Sequence, residues 1–242
     1  MSMQLGPYLL GPNDTPENGI YTGDARELAP LIPDESVDLI FTDPPYIGDV
    51  VHLYEWLGDF AMRVLKPDSA LLCFFGVGFL DSVLPALKLG GLHYRWILTV
   101  KWVGRPVFYG RIATHAQRCL WMEKGKSIPQ SMIKDIWLVS QTSKSRSRFY
   151  VDSESNWNSG KAEWGKDTEV VSVWTHGFIS DESIVVDPFC GYGTMQAAAK
   201  ITNNYWLAFE IDPAVAEQAR ERVRMTQPPL FVPQPQQVEM FS

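Results

Sequence analysis

Thr42-Asp43-Pro44-Pro45-Tyr46 closes an apolar run, Val37 to Thr42, in a chain of 242 residues. The two prolines fix the backbone and remove two amide donors, leaving carbonyl oxygens aimed outward. Asp43 adds a charged acceptor and Tyr46 a flat stacking face. Groups of this kind suit the exocyclic amine of a nucleobase, a poor nucleophile because its lone pair is delocalised into the ring. Hydrogen bonds from the amine to the Asp43 carboxylate and the Pro44 carbonyl would hold the nitrogen and favour a pyramidal geometry. The lone pair then points at an electrophile while Tyr46 stacks on a base taken out of its helix.

A second cluster lies far along the chain. Val185-Val186-Asp187-Pro188-Phe189-Cys190-Gly191-Tyr192-Gly193-Thr194 reads as a strand entering a glycine turn that opens a helix. Such a turn lets a ligand approach the backbone closely. The nicotinamide fingerprint needs a third glycine at position 196, where Gln196 stands. Glu210 follows Asp187 by 23 residues, at the end of the next apolar run, and is placed to accept from two ribose hydroxyls. Asp187 suits an ammonium group. A ligand with a ribose, an amino group and no phosphate fits both acids, and S-adenosylmethionine is such a molecule. Thr194 and Asp212 flank the turn and the last acid and are counted with this set.

The elements that must position these residues are legible as alternating patterns. Apolar runs lead into Asp24, Asp43, Asp187 and Glu210, and Ser69–Phe75 and Tyr94–Trp102 are two more. Short, continuously apolar runs are expected to be strands of a parallel sheet buried on both faces. Helical stripes lie over 50–65, 79–89, 194–201 and 213–225. Strands alternating with helices predict a doubly wound, mostly parallel α/β sheet, with ligands beyond the carboxyl ends of its strands. Residues 103–165, rich in Lys, Arg, Ser, Trp and Gly, interrupt the pattern and read as an insert.

Taken together, these residues resemble the DNA amino-methyltransferases of restriction–modification systems and bacteriophages, in the permuted motif order called the β class. There the Asp-Pro-Pro-Tyr motif comes first, a target-recognition region follows, and Phe-x-Gly-x-Gly lies near the C-terminus. The same order holds here from Asp43–Tyr46 through the insert to Phe189–Gly193. The resemblance implies a Rossmann-like fold, S-adenosylmethionine as cofactor, and DNA as partner. It implies that Asp43, Pro44, Pro45 and Tyr46 hold the target base, with Asp43 also bordering the cofactor. Asp187, Phe189, Gly191, Gly193 and Thr194 would hold the methionine part of the cofactor, and Glu210 with Asp212 the ribose side. Gly23-Asp24 matches a step that contacts the cofactor adenine. Lys166 stands where the family has Lys-Pro at the start of a helix, with Asp167 replacing the proline. Tyr192 replaces a usual serine. Asp rather than Ser before Pro-Pro-Tyr tilts the reading toward adenine N6, with cytosine N4 as the alternative. A non-catalytic nucleic-acid-binding subunit on the same fold is a further alternative, which the intact acids argue against.

On this reading residues 1–102 form the catalytic half, 103–165 the target-recognition insert, 166–225 the cofactor half and 226–242 an extended tail. The bulk numbers agree. Three cysteines at unrelated spacings suit reduced thiols in a cytoplasmic protein, and the four histidines lack metal-ligand spacing, so no metal is expected. No apolar run approaches a membrane span. The net charge of −7 hides a split: residues 88–166 carry 14 Lys+Arg against 5 Asp+Glu. A basic segment on an acidic body is the footprint of a polyanion-binding region. In the proline-rich tail, Gln237-Val238-Glu239-Met240-Phe241 resembles the peptide by which bacterial replication proteins dock on the sliding clamp, so a clamp is an expected partner. The oligomeric state, monomer or dimer, stays open. If the basic segment binds DNA, neutralising Lys144, Arg146 and Arg148 together will weaken binding and flatten its salt dependence, by a slope of about one for each phosphate no longer neutralised. A salt titration of duplex binding reads this directly.

Overall fold

A computed structural model of the chain describes residues 18–46, 51–102, 106–109, 111–139 and 168–227. In chain order the elements are β1 (Asn18–Thr22), α1 (Ala25–Leu28), β2 (Val37–Thr42), α2 (Val51–Val64), β3 (Leu65–Phe75), α3 (Leu80–Leu89), β4 (His93–Trp102) and β5 (Val107–Tyr109). They continue with β6 (Ile112–Thr114), β7 (Ala116–Lys124), β8 (Ile136–Val139), α4 (Thr168–Phe178), β9 (Ile184–Asp187), α5 (Thr194–Ile201), β10 (Tyr205–Glu210) and α6 (Pro213–Met225).

Eight strands form one sheet in the order β1-β10-β9-β2-β3-β7-β4-β8, and β5 and β6 make a separate hairpin. From β1 to β3 every neighbour is parallel. That register sets the carboxyl ends of β1, β10, β9 and β2 side by side on one edge. The strands are apolar throughout because both faces are covered. One face packs α2 and α3 over Ile40, Leu71, Leu120 and Val186. The other packs α4 and α5 over Leu39, Phe41, Leu72 and Phe74. No helix among the described residues is long and apolar enough to cross a membrane. Cys73, Cys119 and Cys190 are free thiols and buried.

The doubly wound, mostly parallel sheet matches the sequence expectation. The insert does not stand apart from it. β7 comes from within residues 103–165, yet it lies between β3 and β4 and is antiparallel to both. Its core, Cys119-Leu120-Trp121-Met122, is buried, but Arg118 on one side and Glu123-Lys124 on the other mask so short an apolar run. β8, also from that stretch, extends the sheet beside β4. Residues 116–124 and 136–139 therefore belong structurally to the sheet that carries the site. Most of the remaining insert and the tail, including Lys166 and Gln237–Phe241, lie outside the described residues.

Gly58 in α2 sets how closely α3 approaches. A Cβ there would stand 2.7 Å from the Leu87 carbonyl oxygen, a backbone atom that cannot swing aside. Gly58→Ala is expected to cost about 1–3 kcal/mol by overpacking, read as a lower urea midpoint with an unchanged slope.

Candidate active site

The Asp-Pro-Pro-Tyr motif begins where β2 stops. Thr42 is fully buried, Pro44 buried, Pro45 exposed, and Asp43 and Tyr46 partly buried. The Tyr46 hydroxyl donates to Asp43 Oδ1 and accepts from Gln117 Nε2 at 3.0 Å. The Tyr46 ring packs on the α4/α5 side of the core. A Cβ on Gly76, just past β3, would lie 3.6 Å from the Tyr46 Cβ, so the end of β3 backs the motif. Gln117 opens β7 from the basic stretch. Sequence reasoning missed it, since no spacing ties it to a tyrosine 71 residues earlier.

The second cluster sits on the neighbouring strands. β9 ends in Asp187 and gives way to a turn in which Gly191 (φ +49°) and Gly193 (φ +75°) occupy the left-handed region, which favours glycine. A Cβ on Gly193 would also lie 3.1 Å from the Ala219 carbonyl oxygen, because α6 crosses there. A Cβ on Gly191 would meet nothing within 4 Å, so space is open above the turn. α5 starts at Thr194 without a side-chain cap. Glu210 braces the turn: Oε2 accepts from the Gly191 amide at 2.8 Å and Oε1 from the Asp212 amide at 3.0 Å. Its carbonyl accepts from the Gly23 amide at 2.9 Å, which brings the Gly23-Asp24 step to the same place. The Phe189 ring meets Trp56 of α2 edge-on at 6.0 Å, tying this turn to the helix after the Asp43–Tyr46 motif.

Some of the sequence-selected residues turn out to be occupied locally. Asp24 caps α1, accepting from the Arg26 amide at 2.8 Å and pairing with its guanidinium at 2.6 Å. The Arg26 bond holds the Asp24 carboxyl below its ordinary range. Asp212 caps α6 through the Ala214 and Val215 amides. Thr194 accepts from Arg222 at 2.9 Å, and the same guanidinium reaches Thr168 at 2.8 Å, clipping α4, α5 and α6 together.

Asp187 is the most constrained group of the site. It is 1 % exposed. Its Oδ1 accepts from the Thr42 hydroxyl at 2.6 Å and the Phe189 amide at 3.1 Å, and its Oδ2 from Gln196 Nε2 at 3.1 Å. Burial pushes its carboxyl up to about 7, opposed by these three donors and assisted by the Asp43 charge. A carboxyl raised on folding binds its proton more tightly in the folded chain. Stability is then greatest below the unfolded value near 3.8 and declines as pH rises toward the folded value near 7. A shift of this size is on the order of 4 kcal/mol. Between pH 5 and pH 8 the unliganded wild type should therefore lose more thermal stability than Asp187→Asn, which cannot titrate there; parallel melting curves for the two would contradict the burial argument.

Acids gathered on one strand edge favour a cationic ligand and disfavour a phosphate. The open turn, the bracing Glu210 and the uncapped α5 accordingly fit a ribose-bearing sulfonium amino acid. No family model matches the chain. YubD of Escherichia coli (strain K12) is 23 % identical over 227 residues, covering 85 % of this chain and 89 % of the relative. The type II methyltransferase M.BamHI of Bacillus amyloliquefaciens is 24 % identical over 236 residues, covering 79 % of this chain and 54 % of the relative. Among solved structures, M1.HpyAVI in complex with SAM superposes with a TM-score of 0.67 at 20 % identity, covering 85 % of this chain and 98 % of that one. The cytosine-N4-specific PvuII DNA methyltransferase gives 0.68 at 18 % identity, covering 87 % and 86 %. With the Asp43–Tyr46 motif at the end of β2 and the glycine turn after β9, the chain is similar in sequence to bacterial methyltransferases and shares the fold of the solved DNA methyltransferases.

Proposed function

We propose that the protein methylates DNA, transferring a methyl group from S-adenosylmethionine to the N6 amine of adenine. The observation that carries this reading is the parallel seating of Asp43-Pro44-Pro45-Tyr46 at the end of β2 beside the Phe189–Gly193 turn at the end of β9. When bound, S-adenosylmethionine supplies an electrophilic methyl on a sulfonium sulfur, which departs as a thioether with the bonding pair. The chain's own residues present the nucleophile. Asp43 and the Pro44 carbonyl take the amine's N–H bonds, drawing its lone pair out of conjugation. The amine loses one proton as the N–C bond forms, and the Asp43 carboxylate can accept it. Gln117 and Asp43 hold the Tyr46 hydroxyl from both sides, so its ring is fixed to stack on the target base. Glu210 and the Gly23-Asp24 step border the space for the ribose and adenine of the cofactor, and the Phe189–Gly193 turn that for its methionine part.

Aspartate before Pro-Pro-Tyr supports adenine, while the fold shared with a cytosine-N4-specific enzyme supports cytosine as the second reading. Nucleoside mass spectrometry of DNA incubated with the protein and S-adenosylmethionine separates them: N6-methyladenine is expected, and N4-methylcytosine would replace the first reading with the second. Asp43→Ala should lower methyl transfer by about 100-fold or more. Its cofactor affinity should stay within about tenfold of wild type, because the bond it removes faces the amine. Near-normal turnover in that variant would remove Asp43 from the chemistry.

A further inference from the structure

Between the two halves of the site, the backbone ladder stops short. β2 pairs with β9 at Leu39–Val185 and Ile40–Val186. β2 then runs on to Thr42 and β9 to Asp187 with no further paired residues between them. The ends that carry the catalytic motif and the glycine turn are joined instead through side chains. Thr42 donates to Asp187 at 2.6 Å, Gln196 donates to Asp187 at 3.1 Å, and the Gln196 Oε1 accepts from the Cys190 thiol at 3.4 Å. All four side chains are buried: Thr42 is fully so, and Asp187 and Gln196 are each 1 % exposed. The chain of bonds runs from inside the glycine turn, through the start of α5, to the residue that precedes Asp43.

We infer that Thr42 and Gln196 are positioning residues, which clamp the Asp187 carboxylate as a strut and set Asp43 at a fixed distance from the cofactor turn. Asp187 acts here through its protein partners, having three donors on it and almost no exposed surface. The geometry explains why a glutamine can stand where a nucleotide fold of the dinucleotide type has its third glycine. A side chain at 196 points under the turn, where its amide supplies the second clamp. A strut matters to a displacement reaction because the nitrogen must reach the methyl carbon in line, and a misplacement of about 1 Å costs on the order of 100-fold. In a buried, low-dielectric setting the network is also stiff, since breaking one member strands the others without partners.

This inference rests on the methyl-transfer reading for its consequence, but the strut itself can be tested without turnover. Thr42→Val keeps shape and removes the donor; Thr42→Ser keeps the donor; Gln196→Leu removes the second clamp. The first measurement is hydrogen exchange of the unliganded proteins over the peptide Thr42–Tyr46. Exchange there should quicken by about tenfold or more in Thr42→Val and return to near the wild-type rate in Thr42→Ser. The second is single-turnover methyl transfer beside the dissociation constant of S-adenosylhomocysteine. Thr42→Val should slow transfer about 30-fold with affinity changed less than about threefold, Gln196→Leu should follow in the same direction, and Thr42→Ser should recover. Unchanged exchange in Thr42→Val overturns the strut, as does a serine variant no better than the valine. A wild-type protein that exchanges as expected but transfers no methyl group would leave the strut standing and overturn the functional reading alone.

Discussion

Parallel pairing of β2 with β9 is the constraint on which the site depends. Asp43 and Asp187 lie 144 positions apart in the chain, and only the register of two adjacent strands brings their ends together. A parallel pair needs a crossover, and this one contains α2, α3, β3, β4, β7 and α4, together with the basic stretch. Whatever the intervening segment does, it must return the chain to within one strand spacing of β2. The buried faces under α2 and α4 enforce that return, since a one-residue slip would turn Leu39 and Phe41 from one helical layer to the other.

That register also crowds acids. Asp24, Asp43, Asp187 and Glu210 follow four adjacent strand ends, and each is accommodated by a different means. Asp24 takes an arginine beside it, Glu210 takes two backbone amides, and Asp43 takes the Tyr46 hydroxyl. Asp187 takes a hydroxyl, an amide side chain and a backbone amide, and burial still raises its carboxyl. The nearby charges are felt beyond the acids: Asp187 and Glu210 add to the burial that pushes the Cys190 thiol up, which fits a structural thiol in the turn and not a nucleophile. An edge of this kind is uncomfortable empty and more comfortable around a cation.

Much of this is legible in the residues. The apolar runs with their terminal acids and the helical stripes over 50–65 and 213–225 fall within a residue or two of the strands and helices found, because core burial on both faces leaves an unmistakable pattern. The motif order is legible for the same reason that it works: each motif sits at a strand end. β7 is not, because its apolar centre is four residues long and its ends are charged. Gln117 and the Thr42–Gln196 clamp are not, because they are contacts across strands. Glutamine and threonine carry no periodic signal, and their roles exist only once the strands are side by side. In the sequence Gln196 is merely a missing glycine, whereas in the fold its amide reaches Asp187.

The same charge pattern bears on how an acidic edge can serve a polyanion. On the proposed function, DNA approaching Asp43 would meet carboxylates that attract a cationic cofactor and repel phosphates. A displacement site on DNA therefore needs its positive potential supplied from outside the edge, close enough to overcome that repulsion within the roughly 8–10 Å reach of physiological screening. Residues 88–166 hold two thirds of the chain's 21 Lys and Arg, and β7, which delivers Gln117 to Tyr46, is drawn from their midst. β7 anchors its part of the basic segment in the sheet beside the Asp43–Tyr46 motif. On the proposed function, the strand that hid in the insert would let opposite electrostatic demands, one for the cofactor and one for DNA, be met a few strands apart.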